Sequence, residues 1–83
     1  MNYLAKIKIT LRPGILDVQG KAVEQALNSI NFKTMSEVRI GKYVELKVDA
    51  VDREEAGSLV DAACNQLIAN PIVEDYFIEI EEI

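Results

Sequence analysis

Three stretches of the chain hold the residue types that could bind or react. Leu11-Arg12-Pro13-Gly14-Ile15-Leu16-Asp17 sets a cation, a glycine and a carboxylate around a proline, at the junction of a strand-like and a helix-like pattern. A glycine at such a junction lets a ligand or another backbone come close, and a helix N-terminus favours anions. The same residues also suffice for a plain turn followed by an N-cap. Arg39-Ile40-Gly41-Lys42 places two cations about a glycine. They could grip a carboxylate, a phosphate or an acidic patch on a partner, or they could flank a solvated bend. Asn70-Pro71 leads into Glu74, Asp75, Glu79, Glu81 and Glu82, with no base among residues 74–83. This run lacks the loop geometry of a divalent-metal site and suits a strand edge that resists further pairing.

The missing residue types narrow the chemistry. There is no His, hence no side chain with an ordinary pKa near neutrality to serve as general base, nucleophile activator or metal ligand. One Cys allows neither an intrachain disulfide nor a Cys-based metal cluster, and Cys64 falls on an apolar helical stripe, as a small buried hydrophobe would. Gly14 and Gly20 have neither a Gly-Lys-Ser/Thr ending nor a Gly-x-Gly core, so no phosphate loop is present. No nucleophile, base and oxyanion donor assemble. Nine Lys and Arg against 14 Asp and Glu give a net charge of −5, which argues against a nucleic-acid partner. At 83 residues the chain makes one domain, 1–83, with a thin core that association would enlarge. Its 49% hydrophobic and 28% charged residues exclude a disordered tail. Apolar runs are too short to span a membrane, and Met1 opens directly on strand-like sequence without a secretory pattern, so a cytoplasmic location is expected.

The elements that must position these residues follow from periodicity. Residues 3–11 alternate, with Ile7, Ile9 and Leu11 on one side and Lys6, Lys8 and Thr10 on the other, which predicts a strand ending at Pro13-Gly14. Val18, Ala22, Val23, Ala26, Leu27 and Ile30 form one stripe of a helix over 18–30, capped by Asp17 and closed by Asn31. Lys21, Glu24, Gln25 and Asn28 lie on its wet side, and Gly20 costs roughly 1 kcal/mol relative to Ala. Over 36–50, Val38, Ile40, Val44, Leu46 and Val48 fall on even positions, and Glu37, Arg39, Glu45, Lys47 and Asp49 on odd ones. A hairpin about Gly41-Lys42-Tyr43 satisfies that pattern; so does one long strand bent near Gly41, which the unbroken alternation favours. Such a strand would span about 50 Å at ~3.3 Å per residue, more than a small globule covers, so its far half would need a partner chain. Asp52 and Glu55 make a capping box for a helix over 53–69, with Ala56, Leu59, Val60, Ala63, Cys64, Leu67 and Ile68 as its stripe. A last strand covers 72–83, with Tyr76, Ile78 and Ile80 on one face.

The order β-α-β(long and bent, or hairpin)-α-β predicts an α+β, ferredoxin-like-related fold: an antiparallel sheet with two helices on one face. The other face would carry Lys6, Lys8, Lys47, Glu45 and Glu79, together with Tyr3, Tyr43 and Phe77, and be either wet or met by a second subunit.

Three segments, taken in order, resemble the PurS family, subunits of formylglycinamide ribonucleotide amidotransferase (phosphoribosylformylglycinamidine synthase). They are Leu11-Arg12-Pro13-Gly14-Ile15-Leu16-Asp17-Val18-Gln19-Gly20, Arg39-Ile40-Gly41-Lys42-Tyr43-Val44-Glu45-Leu46 and Asn70-Pro71-Ile72-Val73-Glu74-Asp75-Tyr76. Val18 and Asn31 stand where the family often has Pro and Gly, and both tolerate the conformations needed. The resemblance implies a small non-catalytic subunit, a homodimer or dimer of dimers, that joins an ATP-using synthetase subunit to a glutaminase subunit and takes part in ammonia transfer. It also implies that ATP, Mg and glutamine are used by those partners, with no cofactor or metal in this subunit. Arg12, Asp17, Gly20, Arg39, Gly41, Lys42, Asn70, Pro71 and Glu74 match its motif positions and are expected to be structural or docking residues. A second resemblance, to regulatory amino-acid-binding modules of the ACT type, rests on the strand-helix order and the Pro-Gly-Ile-Leu turn. It leaves Gln19-Gly20 and Asn70-Pro71 without a role.

Overall fold

The computed structural model describes residues 1–83. The elements are β1 (Asn2–Leu11), α1 (Val18–Ser29), β2 (Lys42–Asp49), α2 (Arg53–Ala63) and β3 (Glu74–Glu82), with α2 continuing as a π-helical turn over Cys64–Ile68. The strands form one sheet in the order β2-β1-β3, with both neighbours antiparallel to β1. The register aligns the apolar rows: Ile7 stands opposite Val44 and Ile78, and Ala5 opposite Leu46 and Ile80. An antiparallel sheet with one face packed and one solvated requires this alternation. The core is Ala5, Ile7 and Ile9 beneath Val60, Cys64 and Ala69, with a second cluster of Tyr3, Ala50 and Ala56 at the far end. Tyr3 is only 3% exposed, because it shares the register of Ala5 and Ile7; it does not lie on the polar face with Tyr43 and Phe77. That polar face is laced by Lys6–Glu81 (2.8 Å) and Lys8–Glu79 (3.9 Å) pairs.

Both N-caps form as the residue types dictate. Asp17 accepts from the Gly20 amide, and Asp52 from the Glu55 amide at 2.8 Å, while Glu55 reaches back to the Val51 amide. Asn31 closes α1 in the left-handed region (φ 74°). The π turn was not legible in the stripe: Ala69 N–H donates to Cys64 O, five residues back, at 3.0 Å. Ala69 itself is extended, and Pro71 prevents any return to helix.

The third predicted element resolves into two parts. β2 keeps its pattern over eight residues, but residues 36–40 join no strand, so Gly41 makes no hairpin. Glu37 takes φ 56°, which no strand sustains. Of the two helices only α2 rests on the sheet; α1 lies against residues 36–40. The molecule is accordingly long and thin, 51 × 27 × 14 Å.

Candidate functional site

All nine motif residues gather where β1 leaves the sheet and β2 and β3 enter it. They form two linked networks.

The first joins β1 to the 70–74 turn. Arg12 donates its amide to Val73 O (2.9 Å) and its guanidinium to Pro71 O, and its Nε lies 3.3 Å from Asp75. The Glu74 carboxylate accepts from the Asn70 amide at 2.7 Å and pairs with Lys42 at 3.1 Å. Asn70 Oδ1 accepts from the Ile72 amide, forming the turn that Pro71 begins. The Asn70 amide, first, and Lys42, second, hold the Glu74 carboxyl below its ordinary range.

The second network ties α1 to residues 36–40. Asp17 accepts from the Gly20 amide with one oxygen and from the Ile40 amide with the other, each at 2.8 Å. Those two amides, with a smaller contribution from Arg39, hold its carboxyl low. One turn beyond Gly20, Glu24 Oε1 accepts from the Val38 amide at 3.2 Å. Arg39 donates its guanidinium to Leu11 O. Gly20 is required by close approach, since a Cβ there would collide with the Val38 carbonyl. Gly41 is required in the same way, against the Ile9 carbonyl. The helix cost of Gly20 thus has its cause in backbone contact.

The three cations of the motif are therefore engaged within the chain, although each remains accessible. Between the 12–17 turn and residues 36–39 lies a cleft of about 530 Å³ with both signs of charge on its walls, Arg12, Lys21 and Arg39 against Asp17 and Glu24. The arrangement positions backbone; it assembles no nucleophile and base. Cys64 is fully buried in the core, away from this end, and burial raises its thiol pKa. No three His, Cys, Asp or Glu side chains converge as a metal site would need. Glu24 and Asp75 were missed by sequence reasoning. For Glu24 a signal existed, since it lies seven residues, two helical turns, beyond Asp17 and so on the same face.

The model of the PurS family, described as phosphoribosylformylglycinamidine (FGAM) synthase, matches residues 4–82. The chain belongs to the PurS family. The PurS subunit of phosphoribosylformylglycinamidine synthase from Bacillus subtilis is 42% identical over 81 residues, 98% of this chain and 95% of its own. The Synechocystis PurS subunit is 43% identical over 79 residues, 95% and 79% of the two chains. The crystal structure of Methanocaldococcus jannaschii PurS, one of the subunits of formylglycinamide ribonucleotide amidotransferase in the purine biosynthetic pathway, superposes with a TM-score of 0.88 at 32% identity, covering 98% of both chains. A chain in the structure of PurLQS from Thermotoga maritima gives 0.89 at 29% identity, over 96% of this chain and 98% of that one. Coverage this complete takes in α1 and residues 36–40. The chain is thus a PurS subunit of FGAM synthase, an enzyme of purine biosynthesis, and it is this PurS scaffold that brings the nine motif residues to one end.

Proposed function

We propose that this PurS chain is the non-catalytic joint of the amidotransferase, holding an ATP-using synthetase subunit and a glutaminase subunit together in the cytoplasm. It works as a homodimer or dimer of dimers. It binds no cofactor; ATP, Mg and glutamine are handled by the larger subunits. The observation carrying this reading is the near-complete superposition on a chain of the Thermotoga maritima PurLQS assembly. The character of the motif residues supports it: they fasten backbone segments to one another and leave charged, accessible groups at one end of a thin molecule. Ammonia released at one site is diluted unless the receiving site is near, so holding the two sites together raises its effective concentration. Reconstitution tests this. Purified synthetase and glutaminase subunits should form the amidine from ATP and glutamine only when this chain is added. Added ammonium salt should restore part of the activity without it. Full glutamine-dependent turnover in its absence would remove the role.

A further inference from the structure

Within the chain, α1 makes no substantial contact with any strand or with α2. A helix of 12 residues is marginal on its own in water, so what holds its course must lie in the segment beside it. That segment is residues 36–40, the arm that leads into β2. Three contacts join the two. Asp17 accepts from the Ile40 amide at 2.8 Å, Gly20 lies against the Val38 carbonyl, and Glu24 accepts from the Val38 amide at 3.2 Å. Steps of three and four residues put positions 17, 20 and 24 on one side of the helix. The arm answers them with two alternate residues, Val38 and Ile40.

The two carboxylates hold different things. Asp17 is the cap and sets where α1 leaves the molecule. A single attachment at its start would still let the far end swing. Glu24 stands seven residues on, about 10 Å along the axis at ~1.5 Å per residue. A second attachment at that distance turns a pivot into a fixed line. Glu24 is half-buried and its carboxylate pairs with no Lys or Arg of the chain, so its accepting oxygen is spent on the arm. The line governs the cleft beside it. Lys21 stands on the helix wall and Arg39 on the arm wall, and their spacing changes as soon as the bracket opens.

We infer that Glu24 is a positioning residue for glutamine-dependent amidine formation: it keeps α1 in line with the arm, so that the two walls of the cleft hold one spacing in the assembled enzyme. It touches no reacting atom. This role rests on the joining function proposed above. Ammonia passes efficiently between two sites only while they are kept near and oriented, and a joint whose helix swings would hold them loosely. Glu24 belongs to none of the three motif segments; the tertiary structure alone brings it to the amide of Val38, fourteen residues on.

Hydrogen exchange and reconstitution test it together. In Glu24→Ala the Val38 amide should exchange roughly tenfold faster or more, while the amides of β1, a strand paired on both sides, keep their rates. With the variant in excess over the larger subunits, glutamine-driven turnover should fall about fivefold relative to ammonium-driven turnover. Glu24→Gln keeps an oxygen that can accept from the Val38 amide, and should return both readings to within about twofold of the unsubstituted chain. Unchanged exchange at Val38 would overturn the bracket. Faster exchange with an unchanged turnover ratio would overturn the positioning role and leave the joining role intact. Equal acceleration in β1 would make Glu24 a general stabiliser and overturn it too. An E24Q chain that matches E24A in the turnover ratio would assign the effect to charge, against the bracket. An unsubstituted chain that adds nothing to glutamine-driven turnover has a separate meaning: the joining role falls, and the positioning role with it.

Discussion

Asp17 holds two positions at once. As an N-cap it would contribute about 1 kcal/mol; as the acceptor for Ile40 as well, it fixes the direction in which α1 leaves the molecule. Its depressed pKa has a definite pH consequence. Between the folded and unfolded pKa the unfolded chain binds the extra proton, so stability rises with pH across that window and is fully present above the ordinary carboxylate range near 4. It is lost as pH falls through the folded value, and Glu74 behaves in the same way. Asp17→Asn should therefore lower stability at pH 7 and flatten the acid limb of a denaturation-midpoint against pH profile, leaving stability nearly unchanged below both pKa values. Lys42 and Glu74 allow a different separation, between fastening and docking. Reversing Lys42 alone replaces the ion pair with two carboxylates that repel each other. Lys42→Glu with Glu74→Lys restores the pair with its polarity inverted. If Lys42 serves docking, the double variant should recover the thermal midpoint lost by K42E but not glutamine-dependent turnover in the reconstituted complex. Recovery of both would make the pair purely structural.

Among the elements, β1 bears the largest share of the packing. It is the only strand with a partner on each side, and its inward residues Ala5, Ile7 and Ile9 are essentially inaccessible. With so few fully buried large side chains, each counts heavily. Ile7→Ala should cost about 2–5 kcal/mol by urea denaturation, since it removes three carbons from among Val44, Ile78 and Val60. The edge strands are defended differently. β3 carries Asp75, Glu79 and Glu81 on its outward side, charges that discourage stray pairing. The end of α2 shows how one inserted residue redirects a stripe. In a regular helix Leu67 would follow Val60 by two turns onto the core; in the π turn Ile68 and Ala69 take that place.

As a whole, the molecule is three strands and one helix with a second helix held out on a braced arm. The sequence by itself determined the strand and helix types, both N-caps and the facing of β2 and β3, because two- and 3.6-residue periods and capping chemistry are local; the PurS family came through the resemblance of three motif segments. It also brought forward the nine motif residues, since glycines, a proline and paired charges at turns stand out from the surrounding pattern. It did not show that Asp17 and Glu24 would capture the Ile40 and Val38 amides across fourteen or more residues, nor that Glu37 would turn left-handed. Alternation is equally satisfied by a hairpin, a long strand, or a short strand entered by a tethered arm. Only the tertiary structure decided among them, because the choice depends on where backbone donors far apart in the chain find their acceptors, and on which helix face is left without one of its own to cover it.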